Sequence, residues 1–363
     1  MQVRVEKVAH GGHFIARNDG QVIFIRDTAP GELVEIEITS KAKGFLRANV
    51  LKVIEASPER ISPPCPYAGK CGGCDFQHLN LPYQRVLKGE VIKEQFDRIA
   101  KLKIEVQVHE VAPTTRYRTH IRGVASESGE FGIYASRSHE IVPIKDCLIA
   151  GEELQVQDIA IAKHEPMQPV EVPEGDQFRE VKGKRLLVKA GAFWQRHRNA
   201  PEVLTDVFLN LAKLKPGEHL LDLYGGVGLF SAVAIEILGA GGRIDLIESS
   251  IPATESAREN FKGHQNINVI REDVAKALKG IRRADVVVLD PPRAGAGALV
   301  VDQLLRIKPA RIVYVACDPA SLARDVQRFI ANGWKLAQID GYDLFPMTQH
   351  IETVCLLLPP TAN

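Results

Sequence analysis

Val313-Tyr314-Val315-Ala316-Cys317-Asp318-Pro319-Ala320-Ser321-Leu322-Ala323-Arg324-Asp325 reads as a strand, a break and the start of a helix. The apolar run from Arg311 to Ala316 has strand character. Asp318-Pro319 stops it, and Ser321 is a helix-start residue. Cys317 would then sit at the carboxyl end of a parallel strand, where open α/β sheets place their ligands. The competing reading is a buried, inert thiol, because free cysteine is among the most buried residue types.

Moving upstream, the chain alternates strand and helix from Pro201 onward. His219 to Tyr224 is a strand, and Gly225-Gly226-Val227-Gly228 turns it into a helix from Leu229 to Leu238. Further strands are expected at Arg243–Glu248, Asn268–Ile270 and Ala284–Leu289, the last closing on Asp290-Pro291-Pro292-Arg293. Such alternation means a parallel sheet with helices on both faces. A glycine loop after the first strand is weak evidence alone, and the third glycine of a diphosphate fingerprint is missing. Asp222 precedes the glycines, placed to meet a cationic amino-acid end of a cofactor. Glu248 ends the second strand, placed to accept ribose hydroxyls, and Asp273 ends the third, near an adenine. Together these favour S-adenosylmethionine over NAD.

Asp290-Pro291-Pro292 is similar to the motif that holds the target nitrogen in amino-group methyltransferases. An aromatic residue usually follows there; here it is Arg293, so the target atom is expected not to be nitrogen. Cys317 suggests carbon instead. Carbon 5 of a pyrimidine is a poor nucleophile until a thiolate adds to carbon 6. A base must then remove the carbon-5 proton, and Phe345-Pro346-Met347-Thr348-Gln349-His350-Ile351-Glu352 offers His350 and Glu352. Val354 to Leu358 reads as the last strand, with Cys355 as core.

Toward the N-terminus, residues 1–57 hold five short β-rich runs separated by turn signals, which suggests a small closed barrel of the oligonucleotide-binding type. Cys65-x5-Cys71-x2-Cys74 follows in a glycine- and proline-rich loop, with Cys147 the only candidate for a fourth thiolate before Cys317. Four thiolates suit an iron–sulfur cluster or zinc, and spacing does not choose. Leu81 to Ala100 reads as an amphipathic helix, and residues 104–149 return to β-type alternation. If Arg116 to Arg122 is a strand, Arg116, Arg118, His120 and Arg122 share one face, either an RNA backbone contact or a solvated surface. Residues 179–198 carry Arg179, Lys182, Lys184, Arg185, Lys189, Arg196 and Arg198 against one acid, Glu180, with Phe193 and Trp194 nearby. Cations beside aromatics suit unstacked bases.

Net charge is only +1 over 363 residues, so any nucleic-acid footprint is local. No run approaches the ~18 apolar residues of a membrane span. The first residues lack the apolar core of a signal peptide. A cytoplasmic protein is expected, where six cysteines suggest metal or catalysis before disulfides.

Over nearly its whole length the chain resembles the S-adenosylmethionine-dependent RNA uracil-5-methyltransferases, most of all the bacterial 23S ribosomal-RNA branch. The matching stretches are the four cysteines, Asp222-Leu-Tyr-Gly-Gly-Val-Gly-Leu-Phe, Asp290-Pro-Pro-Arg-Ala-Gly, Tyr314-Val-Ala-Cys-Asp-Pro-Ala-Ser-Leu-Ala-Arg-Asp and Asp343-Leu-Phe-Pro-Met-Thr-Gln-His-Ile-Glu-Thr-Val. The resemblance implies Cys317 as nucleophile and Glu352 as base. It implies cofactor contacts from Gln195, Tyr224, Glu248 and Asp290, to which the loop reading adds Asp222, Gly226 and Asp273. It also implies a [4Fe–4S] cluster on Cys65, Cys71, Cys74 and Cys147. Two positions depart from the family pattern: His197 where asparagine is frequent, and Gly225 where cysteine is frequent.

The expected architecture is α/β in three parts. Residues 1–57 form a TRAM-like β-barrel, 58–190 a central mixed α+β domain with the iron–sulfur site and RNA contacts, and 191–363 a doubly wound, Rossmann-like methyltransferase domain. The expected reaction is methylation of a specific uridine, in 23S ribosomal RNA ahead of transfer RNA, by a monomer without membrane contact. A non-catalytic RNA-binding or iron–sulfur module is the rival from a different class.

Overall fold

Five N-terminal strands fold back on one another: β1 (Gln2–Ala9), β2 (His13–Asn18), β3 (Gln21–Ile25), β4 (Leu33–Ala42) and β5 (Phe45–Glu55). Gly20 and Gly44 make two of the tight turns at φ 79° and 93°, a region that other residues rarely enter. The strands close into a barrel in the order β1-β2-β3-β5-β4, antiparallel except between β3 and β5. Val3 and Val5 point inward and Arg4 and Glu6 outward, as the two-residue period requires. The interior is filled by Phe14, Ile23, Ile25, Val34 and Ile36, each contributing about 1.5–3 kcal/mol by leaving water.

The structure, a computed structural model, describes residues 1–126, 129–136, 138–159 and 169–360. The central span's residues 127–128, 137 and 160–168, and the C-terminal span's 361–363, lie outside the described residues. The chain divides into two compact units. One gathers Met1–Val91, Pro113–Pro173 and Phe345–His350, and the other Ile92–Ala112, Glu174–Leu344 and Ile351–Asn363. The span 58–190 is therefore shared between the two.

Helix α1 (Leu81–Gln95) starts where Asn80 Oδ1 accepts from the Tyr83 amide at 2.9 Å. The α-helix stops short of Ala100. Residues Phe96–Ala100 widen into a π-turn that ends on Lys101 at φ 57°. After β6 (Val108–Glu110), the first unit holds a second sheet of β7 (Ile121–Ala125), β8 (Phe131–Tyr134), β9 (Ile141–Pro143) and β10 (Pro169–Val172), ordered β10-β7-β8-β9. The alternating cations from Arg116 do not share a strand face. Arg116 is left-handed at φ 53°, its amide and that of Arg118 donate to Leu148 and Ile149, and the strand begins only at Ile121.

The longest stretch of the second unit starts with the hairpin β11 (Gln177–Val181) and β12 (Lys184–Val188). There follow α2 (Ala200–Ala212), β13 (His219–Leu223), α3 (Leu229–Leu238), β14 (Arg243–Glu248), α4 (Ile251–Asn260), β15 (Ile267–Arg271), α5 (Val274–Ala277), β16 (Val286–Leu289), α6 (Gly297–Ile307), β17 (Arg311–Ala316), α7 (Pro319–Ala331), β18 (Lys335–Asp343) and β19 (Glu352–Leu358). The eight-stranded sheet runs β15-β14-β13-β16-β17-β19-β18-β6. The first five are parallel, and β19 is antiparallel to β17. All four residues of β16 are buried, which is why this strand is continuously apolar rather than alternating. The chain leaves β13 toward one edge and returns to β16 on its other side, so a topological switch point opens between them. No helix among the described residues is long and apolar enough to cross a membrane.

Candidate active site

The loop after β13 is bent by three left-handed residues, Tyr224, Gly226 and Gly228, at φ 58°, 56° and 98°. Asp222, one strand residue earlier, is 1% exposed. Its Oδ2 accepts from the Ser231 amide at 3.1 Å and hydroxyl at 2.6 Å, while Oδ1 has no partner among the described residues. Burial raises this carboxyl to about 6, against the lowering effect of Ser231. Glu248 closes the loop from β14: Oε2 accepts from the Gly226 amide at 3.1 Å and Oε1 from the Ser250 amide at 2.7 Å. Asp273 caps α5 by accepting from the Lys276 amide at 3.1 Å. Burial, then the charges of Asp273, Asp325 and Glu248, raise the Tyr224 phenol to about 12.

Across the switch point, Asp290 follows β16, and its Oδ2 accepts from Gln195 Nε2 at 3.1 Å. Burial pushes Asp290 up to about 7, with the Asp222 charge adding to the rise and Gln195 opposing it. Cys317 follows β17, and Asp318 caps α7 by accepting from the Ser321 amide at 2.8 Å, with Pro319 in the first helical turn. Glu352 opens β19, whose Thr353 pairs with Ala316. It is 4% exposed, and its Oε1 has no partner among the described residues.

Cys317, Asp290 and Glu352 thus form one electrostatic group. Burial first, then the Glu352 and Asp290 charges, raise the thiol to about 12, with Arg293 opposing them. Burial first, and Asp290 second, hold Glu352 well above the usual carboxylate range. Arg293 is the cation in this group that favours a thiolate. The loop that follows Arg293 is braced: Asp325 Oδ2 accepts from the Ala296 amide at 2.8 Å and from the buried Tyr314 hydroxyl at 2.7 Å. Sequence reading missed this brace, although Asp325 lies one turn beyond Ser321 in the stretch first quoted. Of the two basic candidates in the last motif, Glu352 acts on Cys317, whereas His350 lines a cavity of the first unit.

His197 is 1% exposed, and its Nδ1 accepts from the Asn199 amide at 3.1 Å. It shapes the turn into α2 rather than presenting a ring to solvent. Three cations of the basic stretch 179–198 pair with acids within their own unit. Lys182 bonds Asp206 at 2.6 Å, Lys184 pairs with Glu236, and Lys189 bonds Glu255 at 2.9 Å. Phe178 remains 58% exposed, with the Arg185 guanidinium 3.9 Å from its ring centre.

In the first unit, Cys65, Cys71, Cys74 and Cys147 are free thiols that line one cavity of about 110 Å³. Burial raises Cys74 to about 12, and raises Cys71 and Cys147, while the Arg118 charge lowers Cys74 and Cys147. Arg118 Nε is buried without a partner among the described residues. Among those residues no three side chains close into ligating geometry. The donor set nonetheless suits a group that binds four thiolates, since all four cysteines line the same cavity. A separate cavity of about 810 Å³ is lined by Arg26, Arg118, Arg122, Tyr134, Ser136 and His350 among others.

Residues 1–51 match the TRAM domain, and residues 149–359 match the tRNA (uracil-5-)-methyltransferase family. An uncharacterized RNA methyltransferase of Streptomyces avermitilis is 36% identical across 99% of this chain and 98% of its own. Another, of Bdellovibrio bacteriovorus, is 33% identical across 98% of this chain and 94% of its own. In fold, the chain is similar to Pyrococcus abyssi tRNA (uracil-54, C5)-methyltransferase solved with S-adenosyl-L-homocysteine, with a TM-score of 0.73, 22% identity and coverage of 99% and 100% of the two chains.

Proposed function

Because this chain belongs to the tRNA (uracil-5-)-methyltransferase family of S-adenosylmethionine-dependent RNA methyltransferases, we propose that it methylates carbon 5 of a uridine in RNA through a covalent adduct on Cys317. The observation that carries this reading is the electrostatic coupling of buried Glu352 with half-buried Cys317 and Asp290 at the ends of β19, β17 and β16. The Cys317 sulfur adds to carbon 6 of the uracil, and the ring electrons move to make carbon 5 nucleophilic. S-adenosylmethionine, when bound, supplies the methyl group to that carbon. Glu352 then takes the proton from carbon 5, the carbon–sulfur bond breaks, and Cys317 leaves as the thiolate. Burial that raises Glu352 makes its ionised form a stronger base than an exposed carboxylate. Arg293 supports the thiolate in both the first and last steps.

The residues fit the cofactor in two respects. Asp222 keeps an unpartnered buried oxygen, which suits a cationic amino-acid end. Glu248 fixes its carboxylate on two backbone amides and retains lone pairs for ribose hydroxyls. Gln195 orients Asp290, and Tyr224, Gly226 and Asp273 complete the wall.

The four thiols would hold a [4Fe–4S] cluster, which would supply a rigid cross-link to a loop short of apolar core. Equimolar iron and acid-labile sulfide in protein purified without oxygen would support this, and a colourless zinc protein would refute it. The 810 Å³ cavity, with Arg26, Arg118 and Arg122 on its wall, supports an RNA path across the first unit. The ribosomal substrate rests on the sequence resemblance. A transfer-RNA substrate is the second reading, because the likeness to the Pyrococcus enzyme spans 99% of this chain, barrel included. We place the reaction in the cytoplasm, carried out by a monomer. Mapping 5-methyluridine in ribosomal and transfer RNA from a deletion strain separates the two substrates. Near-normal 5-methyluridine formation by Cys317→Ala would end the proposed mechanism.

A further inference from the structure

Phe345–His350, the segment just before Glu352, belongs to the first unit. Every polar backbone group of Met347 in that segment is taken. Its amide donates to Gln84 Oε1 at 2.8 Å, and its carbonyl accepts from the Asp75 and Phe76 amides at 3.0 and 2.9 Å. Met347 is held at φ 67°, a conformation few side chains adopt without such support. On either side of it, the Tyr117 hydroxyl donates to Pro346 O and Lys88 Nζ to Phe345 O, each at 3.0 Å, and the Gln349 amide donates to Asp75 Oδ2 at 3.1 Å. Gln84, Lys88 and Tyr117 are all nearly inaccessible to solvent. The Met347 side chain packs with Tyr117 and Ile149, and Cys74 and Cys147 lie against that cluster.

Gln84 joins the two halves of this arrangement. While its oxygen takes the Met347 amide, its Nε2 donates to Phe76 O at 3.0 Å and Leu79 O at 2.8 Å, in the segment that follows Cys74 directly. One glutamine therefore ties the thiol loop to the chain that becomes β19 two residues after His350.

We propose that Gln84, Tyr117 and the cysteine loop form a clamp that positions the base, so that Gln84 is a positioning residue for proton removal from carbon 5. The inference rests on the reading of Glu352 as base. It assigns the thiol loop a mechanical task, that of fixing the point at which the chain enters the catalytic strand. A clamp of this kind acts on resolution of the adduct, because addition of Cys317 to carbon 6 does not use Glu352. Displacing a catalytic group by about 1 Å lowers a rate by up to about 100-fold.

The test uses the full chain with Gln84→Leu, and Tyr117→Phe as the milder variant that removes one hydroxyl. Amide hydrogen exchange is followed across residues 345–354, with β13 as internal reference and S-adenosylhomocysteine binding as the check on folding. The expected result is exchange at 347–353 about tenfold faster or more, β13 and cofactor affinity unchanged, and an RNA adduct that forms at the normal rate but resolves about tenfold more slowly. Unchanged exchange in both variants overturns the clamp. Equal slowing of adduct formation and resolution overturns its link to the base. If the unsubstituted protein forms no adduct, the methylation reading is what fails, and the exchange result alone upholds or overturns the clamp.

Discussion

On the proposed mechanism, replacing Glu352 by glutamine should separate the two halves of the reaction. The side chain keeps its shape in a site where it is 4% exposed, so packing changes little. It loses the ability to accept the carbon-5 proton, a step for which general-base catalysis is typically worth about 10²–10⁴-fold, or roughly 3–5 kcal/mol. At the same time Cys317 loses the Glu352 charge that raises its thiol beyond the effect of burial. Adduct formation should therefore be at least as fast as before, while its resolution slows by the full factor. Denaturing gels with labelled RNA should show the variant accumulating a stable protein–RNA adduct as 5-methyluridine release falls at least about 100-fold. Stability gives an independent check. A carboxyl whose folded pKa is raised contributes stability below its unfolded pKa and loses it as pH rises through the folded value. Glutamine carries no such loss, so the variant should melt above the unsubstituted protein at pH 8 and level with it near pH 4. Turnover within tenfold of normal, or an absence of adduct with Cys317 intact, would refute the assignment.

Other substitutions test neighbouring statements. Asp222→Asn should weaken S-adenosylhomocysteine binding by roughly 1–3 kcal/mol in calorimetry, because the unpartnered oxygen loses its charge; unchanged affinity would remove Asp222 from the cofactor wall. Gly225→Cys should lower the melting temperature, at a cost of about 1–3 kcal/mol, since a Cβ there meets Leu246 Cγ at 2.7 Å. Adding Leu246→Val should restore most of the loss, and failure to do so would locate the strain elsewhere. Arg118→Gln should weaken RNA binding and reduce its salt slope by about one, whereas Lys184→Gln, paired with Glu236, should leave both nearly unchanged. A larger effect at Lys184 in filter-binding titrations would return the RNA path to the β11–β12 hairpin.

The methyltransferase sheet was legible because local chemistry and global topology agree there. Asp318-Pro319 both breaks β17 and caps α7, and the buried run of β16 has the signature of a strand covered on two faces. The position of Cys317 just after β17 was readable for the same reason, since strand ends are marked in the sequence. What escaped the sequence depended on distant partners. The pairing of three cations of 179–198 was invisible locally because Asp206, Glu236 and Glu255 come later in the chain. Arg116 to Arg122 has the right alternation for a strand, but bonds to Leu148 and Ile149 set its backbone first. His197, which departs from the family pattern, is buried at the entry to α2. In each case tertiary context outweighed a correct local pattern.

The second unit is assembled from three separate stretches of chain, and this bears on how the protein can be cut, fused or inherited. Ile92, Phe96 and Ala100, from the earliest stretch, sit in the same core as Tyr314 and Cys355, and β6 supplies an edge strand. A fragment beginning at residue 191 would lack these side chains and expose the apolar surface they cover. No single cleavage point yields the catalytic sheet intact, so transplanting it onto another RNA-binding module requires carrying residues 92–112 along as well. Insertions and fusions that leave the sheet whole belong at the turns of the barrel. In lineages of such enzymes, exchange of parts should be rarer at the junctions within 92–112 and 345–351 than beyond the end of β5.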